Sequence, residues 1–242
     1  MENIQTIHVQ TNEIFQFVSL EGYRQMVEDL SHFNQIFSTG KSYGIIGECG
    51  EGGWLLSNLL CGRCATTDST IKINQNVAGR QLLQNIGWCI GDVDVSKTWY
   101  GKSLSVARLI QKGLEQSHRN IDIKEVIELF GLSDSRINMT LNELSWEKWR
   151  ASIAIGYAFN KKVFCFPWGD TAFINDLILN VGIHRCLDIL TKDGAMVILP
   201  TQREDSIDFL VDEIIYLNNP RHRPSPRAKE IVIEYKNSSD HI

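Results

Sequence analysis

The sequence has no long apolar run, no basic excess and no complete set of metal ligands. Each absence removes a class of protein. The longest apolar stretches are short, such as 163–168 (VFCFPW) and 195–200 (AMVILP), against the roughly 20 residues that span a bilayer. The N-terminal MENIQTIHVQTNEIF is polar, with no basic segment leading into an apolar one. A secretory signal is therefore not expected, and the chain reads as cytoplasmic. The net charge of -5 argues against a general nucleic-acid binder, which carries a basic excess. A basic cluster at 221–227 (RHRPSPR) is short and broken by proline, and reads as a solvated linker. Internal repeats and low-complexity tracts are lacking as well.

What is present is ordinary globular material. Of 242 residues, 43% are hydrophobic and 22% charged, which suits one large domain or two small ones. Six cysteines without a signal peptide read as thiols rather than disulfides. Cys61 and Cys64 have the C-x-x-C spacing of a redox dithiol or half a zinc site. No second such pair and no paired histidines complete a zinc set. The pair also follows a helical stretch, whereas a redox dithiol follows a strand and opens a helix, so a structural role is expected.

Along the chain, a compact strand at 43–47 leads into the glycine-rich run 48–53 (ECGEGG), and 54–60 has apolar residues at helical spacing. Strand, glycine loop and helix follow in the order of a phosphate-binding unit. Short strands are expected at 69–74 and 85–90. Helical spacing returns at 104–116, at 122–130 with Gly131 as its stop, and at 143–159. The run 162–166 (KVFCF) is continuously apolar, the pattern of a strand buried on both faces of a parallel sheet. A helix at 174–190, a strand at 195–199, a helix at 207–213 and strands at 214–217 and 231–235 complete the reading. Such alternation implies an α/β fold with a mainly parallel sheet, formed by 1–92 and 150–220. An inserted helical subdomain spans 93–149, and 221–242 is a C-terminal extension.

The order of these motifs resembles the ATP-binding cassette (ABC) transporter ATPase family from about residue 27 to 217. Residues 41–53 (KSYGIIGECGEGG) look like its first strand and Walker A loop, and 86–91 (IGWCIG) like the strand into the Q-loop. Residues 144–150 (LSWEKWR) with 151–154 (ASIA) resemble the LSGGQ signature and its helix. Residues 163–169 (VFCFPWG) lie where the Walker B strand ends, and 196–202 (MVILPTQ) resemble the strand before the switch histidine. The resemblance implies a P-loop NTPase-like core carrying the inserted helical subdomain.

The chemistry departs from the family. In G-x-x-x-x-G-K-[ST], Gly47 and Gly52 are kept with four residues between them, and Gly50 of that run belongs to the same vestigial nucleotide site. Gly53 then replaces the lysine and Trp54 the magnesium-binding hydroxyl. Two unit charges about 4 Å apart interact by roughly 4 kcal/mol at an effective dielectric of ~20, so losing that lysine is expected to cost several hundredfold in affinity. Pro167 and Trp168 replace the Walker B acids, Gly91 the Q-loop glutamine and Gln202 the switch histidine. Leu144 and Ser145 of the signature survive, while Trp146 and Glu147 replace its glycines. Ser57, the next hydroxyl after the loop, lies one turn too late. Glu48 and Glu51 add negative charge beside the loop.

The resemblance thus implies a catalytically silent cassette, a pseudo-ATPase, acting in a membrane transport complex. Its partners would be an ABC permease subunit and a second ATP-binding subunit, either an active homologue or a second copy. Its place would be peripheral, at the inner face of the membrane, with no nucleic-acid partner. No metal and no cofactor are expected, with ATP bound weakly if at all. The family's permease-docking groove maps to 91–102, where Trp99 and Tyr100 read either as interface anchors or as packing against the helical insert. Tyr23 lies where the family stacks an aromatic on adenine, and reads either so or as core. Trp54, Trp146, Trp149 and Trp168 fall at or beside the nucleotide positions, so the phosphate loop is expected to be collapsed or plugged by a side chain, with indoles filling the volume.

Other readings stay open. A nucleotide sensor without hydrolysis would use the same loop. An active ATPase with rearranged groups would use Asp170, Glu204 or Asp205 as acids, with Lys41 the nearest upstream base. A thiol or metal protein would use Cys61 and Cys64 with Cys49 or Cys89. His184, alone in a helical stretch, is assigned no role.

Overall fold

The computed structural model describes residues 4–20, 24–64, 68–92 and 103–217. At its centre lies a five-stranded parallel sheet. It holds β5 (Ser42–Ile46), β8 (Gly87–Cys89), β9 (Val163–Cys165), β10 (Met196–Thr201) and β11 (Glu213–Tyr216), in the order β11-β5-β10-β9-β8. Side chains of a strand alternate between faces, and here both faces are covered. Val163, Cys165, Met196 and Ile198 enter one core cluster. Phe164, Phe166, Val197 and Leu199 enter the other. This two-sided burial is why these segments read as continuous apolar runs rather than alternating ones.

The first face is covered by α1 (Gly53–Leu60) and by an antiparallel sheet in the order β4-β1-β6-β7. Its strands are β1 (Thr6–Thr11), β4 (Asn34–Ser38), β6 (Ser69–Ile73) and β7 (Asn76–Val77). Ile7, Val9, Phe37 and Ile71 from this sheet pack with Leu55, Leu56 and Leu59 of α1. A hairpin of β2 (Phe15–Leu20) and β3 (Arg24–Asp29) pairs from Phe15 with Asp29 to Leu20 with Arg24. Its last residue, Asp29, donates its N–H to the Gly50 carbonyl (2.9 Å). The hairpin therefore ends on the glycine loop.

On the second face α5 (Glu147–Ala158) and α7 (Ile183–Lys192) lie against the sheet, α3 (Val106–Ser117) and α4 (Ile123–Phe130) pack on α5, and α6 (Thr171–Asp176) joins the same core. The short α2 (Arg80–Ile86) leads into β8. The expected helix at 122–130 forms with a reciprocal cap. The Glu125 N–H donates to Asp122 (2.9 Å), and the Asp122 N–H donates to the Glu125 carboxylate (2.8 Å). Gly131 ends it in the left-handed region at φ 59°, where glycine carries no Cβ penalty.

Four expectations are corrected. The N-terminal strands were not anticipated, because their short mixed runs bury only alternate residues such as Ile7, Val9 and Thr11. The strand expected at 85–90 is confined to Gly87–Cys89, and Arg80–Ile86 is helical. The single helix expected at 174–190 is divided, with a π-helical turn at Leu177–Val181 and a break at Gly182 (φ 64°). The helix expected at 207–213 does not form. Asp212 instead accepts from the Ser42 N–H and hydroxyl, each at 2.7 Å, which ties this segment to β5 as a loop. The expected strand at 231–235 and the basic cluster at 221–227 lie outside the described residues. Among the described residues, no helix is long and apolar enough to cross a membrane.

Candidate functional site

The glycine loop connects β5 to α1, and its geometry is that of an anion cradle. Gly50 (φ 97°) and Gly52 (φ 93°) adopt left-handed backbone, which turns successive N–H groups toward one point. Gly52 is the N-cap of α1 and offers no side chain to the free amides of the first turn. Something else must satisfy them.

That group is the carboxyl of Glu28, from the end of β3. The Gly50 N–H donates to its Oε1 (3.1 Å), and the N–H groups of Trp54 (3.0 Å) and Leu55 (3.1 Å) donate to its Oε2. The Gly52 amide adds to the stabilisation of the ionised form. Glu28 has 0% of its surface exposed. Burial raises its pKa from 4.5 to about 7, and the loop amides pull in the opposite direction. Desolvation outweighs the hydrogen bonds. A second carboxyl closes the loop on itself: the buried Glu51 accepts from the Glu48 N–H (2.7 Å).

Trp168 lies across the mouth of the loop. Its Nε1 donates to the Gly47 carbonyl (3.0 Å), and the indole is buried. A Cβ at Gly53 would stand 3.2 Å from the Trp168 ring and 2.9 Å from the Pro200 side chain. A side chain at position 53 would thus crowd both Pro200 and Trp168. Ser57 donates its hydroxyl to the Phe166 carbonyl (2.8 Å) and is fully buried, so it is turned away from the loop.

The remaining positions are filled in similar ways. The Gly91 N–H donates to the Ser152 hydroxyl (2.8 Å). Gly91 has φ 80° and lies directly under the Trp149 ring, which a Cβ would strike. Pro167 is half-buried at the end of β9, and the Gln202 amide donates to the Thr171 hydroxyl (3.3 Å). Leu144 is buried, and Ser145 is exposed ahead of α5. Glu147 is buried and accepts from the Ser133 N–H (2.6 Å) and hydroxyl (3.1 Å).

The structure brings Gly47, Gly50, Gly52, Gly53, Trp54 and Trp168 together around one cradle. It leaves Leu144, Ser145 and Trp146 on the helical side. The expectation that indoles plug the site needs correction. Trp149 and Trp168 are buried, but Trp54 is only half-buried and Trp146 is 39% exposed. The group inside the cradle is a carboxyl, which sequence reasoning missed. Glu28 lies 22 residues before Gly50, on a strand that was not anticipated. The available signal was chemical: a glycine loop with no lysine leaves amides that some anion must satisfy. Tyr23, Trp99 and Tyr100 lie outside the described residues.

The groups of the other readings have partners of their own. Asp170 caps α6, accepting from the Phe173 N–H (2.9 Å). Glu204 accepts from the Tyr216 hydroxyl, and Asp205 pairs with Arg203. Lys41 pairs with Glu213 at the far end of β5. Cys61 and Cys64 are free thiols in the core. Burial holds Cys61 well above the ordinary thiol range and pushes Cys64 up to about 12, the opposite of a reactive thiolate. Among the described residues, no group of three or more His, Cys, Asp or Glu is placed to hold a metal. His184 is exposed.

No protein-family model matches the chain. It is similar to the energy-coupling factor transporter ATP-binding protein EcfA1 of Thermotoga maritima, 27% identical over 192 residues, which is 78% of this chain and 73% of that one. Among solved structures, it is similar to cbiO1 from Clostridium perfringens, part of an ABC transporter complex, with TM-score 0.64 and 16% identity over 96% of this chain and 92% of that one. A dimeric bacterial ABC transporter cassette superposes with TM-score 0.61 and 18% identity over 87% and 93%. The chain thus has the α/β fold of ABC transporter ATP-binding domains and is similar in sequence to one such protein.

Proposed function

We propose that this chain is a catalytically silent ATP-binding-cassette subunit, a structural or regulatory partner in a membrane transport complex. The observation that carries the reading is the Glu28 carboxyl on the amides of Gly50, Trp54 and Leu55. Magnesium-bound ATP does not fit the residues present. The cradle for its phosphates holds a carboxyl, and Trp54 offers no oxygen where the metal needs one. Pro167 and Trp168 offer no acid to hold magnesium or to activate a water, so no hydrolytic step is derived.

The relatives support a choice of partners. One is an ATP-binding protein of a transporter, another is part of an ABC transporter complex, and a third is dimeric. A permease subunit and a second ATP-binding subunit, self or active homologue, are the corresponding partners here. The permease would hold the chain peripherally at the inner membrane face; the segment expected to dock it, 91–102 with Trp99 and Tyr100, lies largely outside the described residues.

A phosphate-release assay on the purified chain with magnesium and ATP tests the reading, and turnover at background level is expected. Magnesium-dependent hydrolysis abolished by Asp170→Asn or Glu204→Gln would overturn it in favour of rearranged catalytic groups. A second reading, nucleotide sensing without hydrolysis, is favoured by the intact left-handed backbone at Gly50 and Gly52. Thermal melts separate the two, because ATP at a hundred times its Kd stabilises by about 2.7 kcal/mol.

A further inference from the structure

We propose that the Glu28 side chain is the glycine loop's own ligand, an intramolecular carboxylate that occupies the anion cradle and keeps phosphate groups out of it. This deepens the silent-cassette reading and rests on it.

The donor geometry comes first. Glu28 bridges the loop and the helix start: one oxygen takes the Gly50 N–H and the other takes the N–H groups of Trp54 and Leu55, at 3.0–3.1 Å. Converging amides at a helix start are the device that holds phosphate oxygens in other proteins. A carboxylate presents the same kind of oxygen to the same donors, and the amides have one occupant at a time.

The space above the loop is closed as well. The end of β3 lies so near Gly52 that a Cβ there would stand 2.6 Å from the Asp29 carbonyl oxygen and 2.8 Å from the Leu30 Cβ. This contact is independent of the carboxyl and has the same meaning, because the end of β3 covers the turn over which a phosphate would lie. The cover is tied down on both sides. The Asp29 N–H donates to Gly50, the Leu30 N–H to Ile14 (2.9 Å each), and the Thr11 hydroxyl to the Leu30 carbonyl (2.9 Å). The plug is therefore built into the N-terminal strands.

The local charge agrees. The charged groups acting on Cys49 in the loop are Glu28, Glu48 and Asp170, all acidic. Glu51 is buried within the loop. A polyanion entering here would meet negative charge, with no lysine at position 53 to offset it. Admission of a phosphate thus requires that Glu28 leave and that the end of β3 move with it.

The test uses the full chain and pyrophosphate, which presents the phosphate chemistry without the base. Wild type and Glu28→Ala are titrated by calorimetry, and folding is checked by circular dichroism and a cooperative melt. Glu28→Ala is expected to bind pyrophosphate about tenfold or more tightly than wild type. A folded Glu28→Ala with wild-type affinity overturns the proposal. Hydrogen exchange on the wild type is a second reading that does not depend on the variant folding. The Gly50, Trp54 and Leu55 amides should exchange as slowly as those of β5, and fast exchange at these three overturns the plug. Failure of the function reading looks different: a wild type that hydrolyses ATP, while Glu28→Ala still gains pyrophosphate affinity, removes silence but keeps the plug.

Discussion

The glycine loop and the segment at the start of α5 both carry residues that the resemblance to an ATP-binding cassette does not lead one to expect, and they place them in opposite ways. At the loop, the replaced groups turn inward. Glu28 satisfies the amides, Trp168 covers Gly53, and Glu51 closes the turn. At 144–149, the replacements are split: Glu147 and Trp149 are buried, while Trp146 remains 39% exposed and Ser145 faces solvent. One region packs its side chains into the core. The other keeps an aromatic on the surface, where aromatic residues serve as contact anchors. The two regions thus differ physically: one buries its unusual side chains, and the other leaves one on the surface.

The sharpest break in this comparison is Trp168→Ala set beside Trp146→Ala. Removing the buried indole should cost about 3–5 kcal/mol, and removing the exposed one within about 0.5 kcal/mol, by denaturant unfolding. Equal losses would mean that the loop is no more a core than the surface is.

Next comes the pH dependence of stability. Glu28 has its pKa raised in the folded state from 4.5 to about 7, so the fold binds its proton more tightly than the unfolded chain does. That stability is fully present below about pH 4.5 and is lost as pH rises through about 7, an amount of up to about 3 kcal/mol. Glu28→Gln should flatten the slope across this window. An unchanged slope would show that the carboxyl is not buried as described.

Smaller still, Gly91→Ala places a Cβ against Trp149 at a backbone φ of 80°, and should destabilise by about 2 kcal/mol. Crystallographic or NMR evidence of an undisturbed Trp149 in that variant would remove the packing argument. Ser57→Ala deletes the buried hydrogen bond to Phe166 and should cost about 1 kcal/mol. Lys41→Ala, at an exposed pair, should leave the melting temperature without a resolvable change. A loss as large as that of Ser57→Ala would assign Lys41 a role near the loop after all.

The central sheet was legible because burial on both faces writes itself as apolar runs, as in 163–166 and 195–199. The helix at 122–130 was legible because its cap, Asp122 with Glu125, and its stop, Gly131, are local. The segment at 207–213 was misread because its apolar spacing is overruled by one contact from Asp212 to Ser42, distant in the chain. The N-terminal strands were missed because alternation over five or six half-polar residues is a weak signal.

The same division holds at the site. The sequence by itself determined that Gly53, Trp54, Pro167, Trp168 and Gln202 stand where the resemblance expects other residues, because these are identities at fixed spacing. It also determined that a glycine loop opens α1. Only the tertiary structure decided what fills the loop. Glu28 reaches Gly50 across 22 residues, and Trp168 reaches Gly47 across 121. Amides left without an anion must be satisfied when buried, but any carboxylate in the chain can meet that demand, and only folding selects which one.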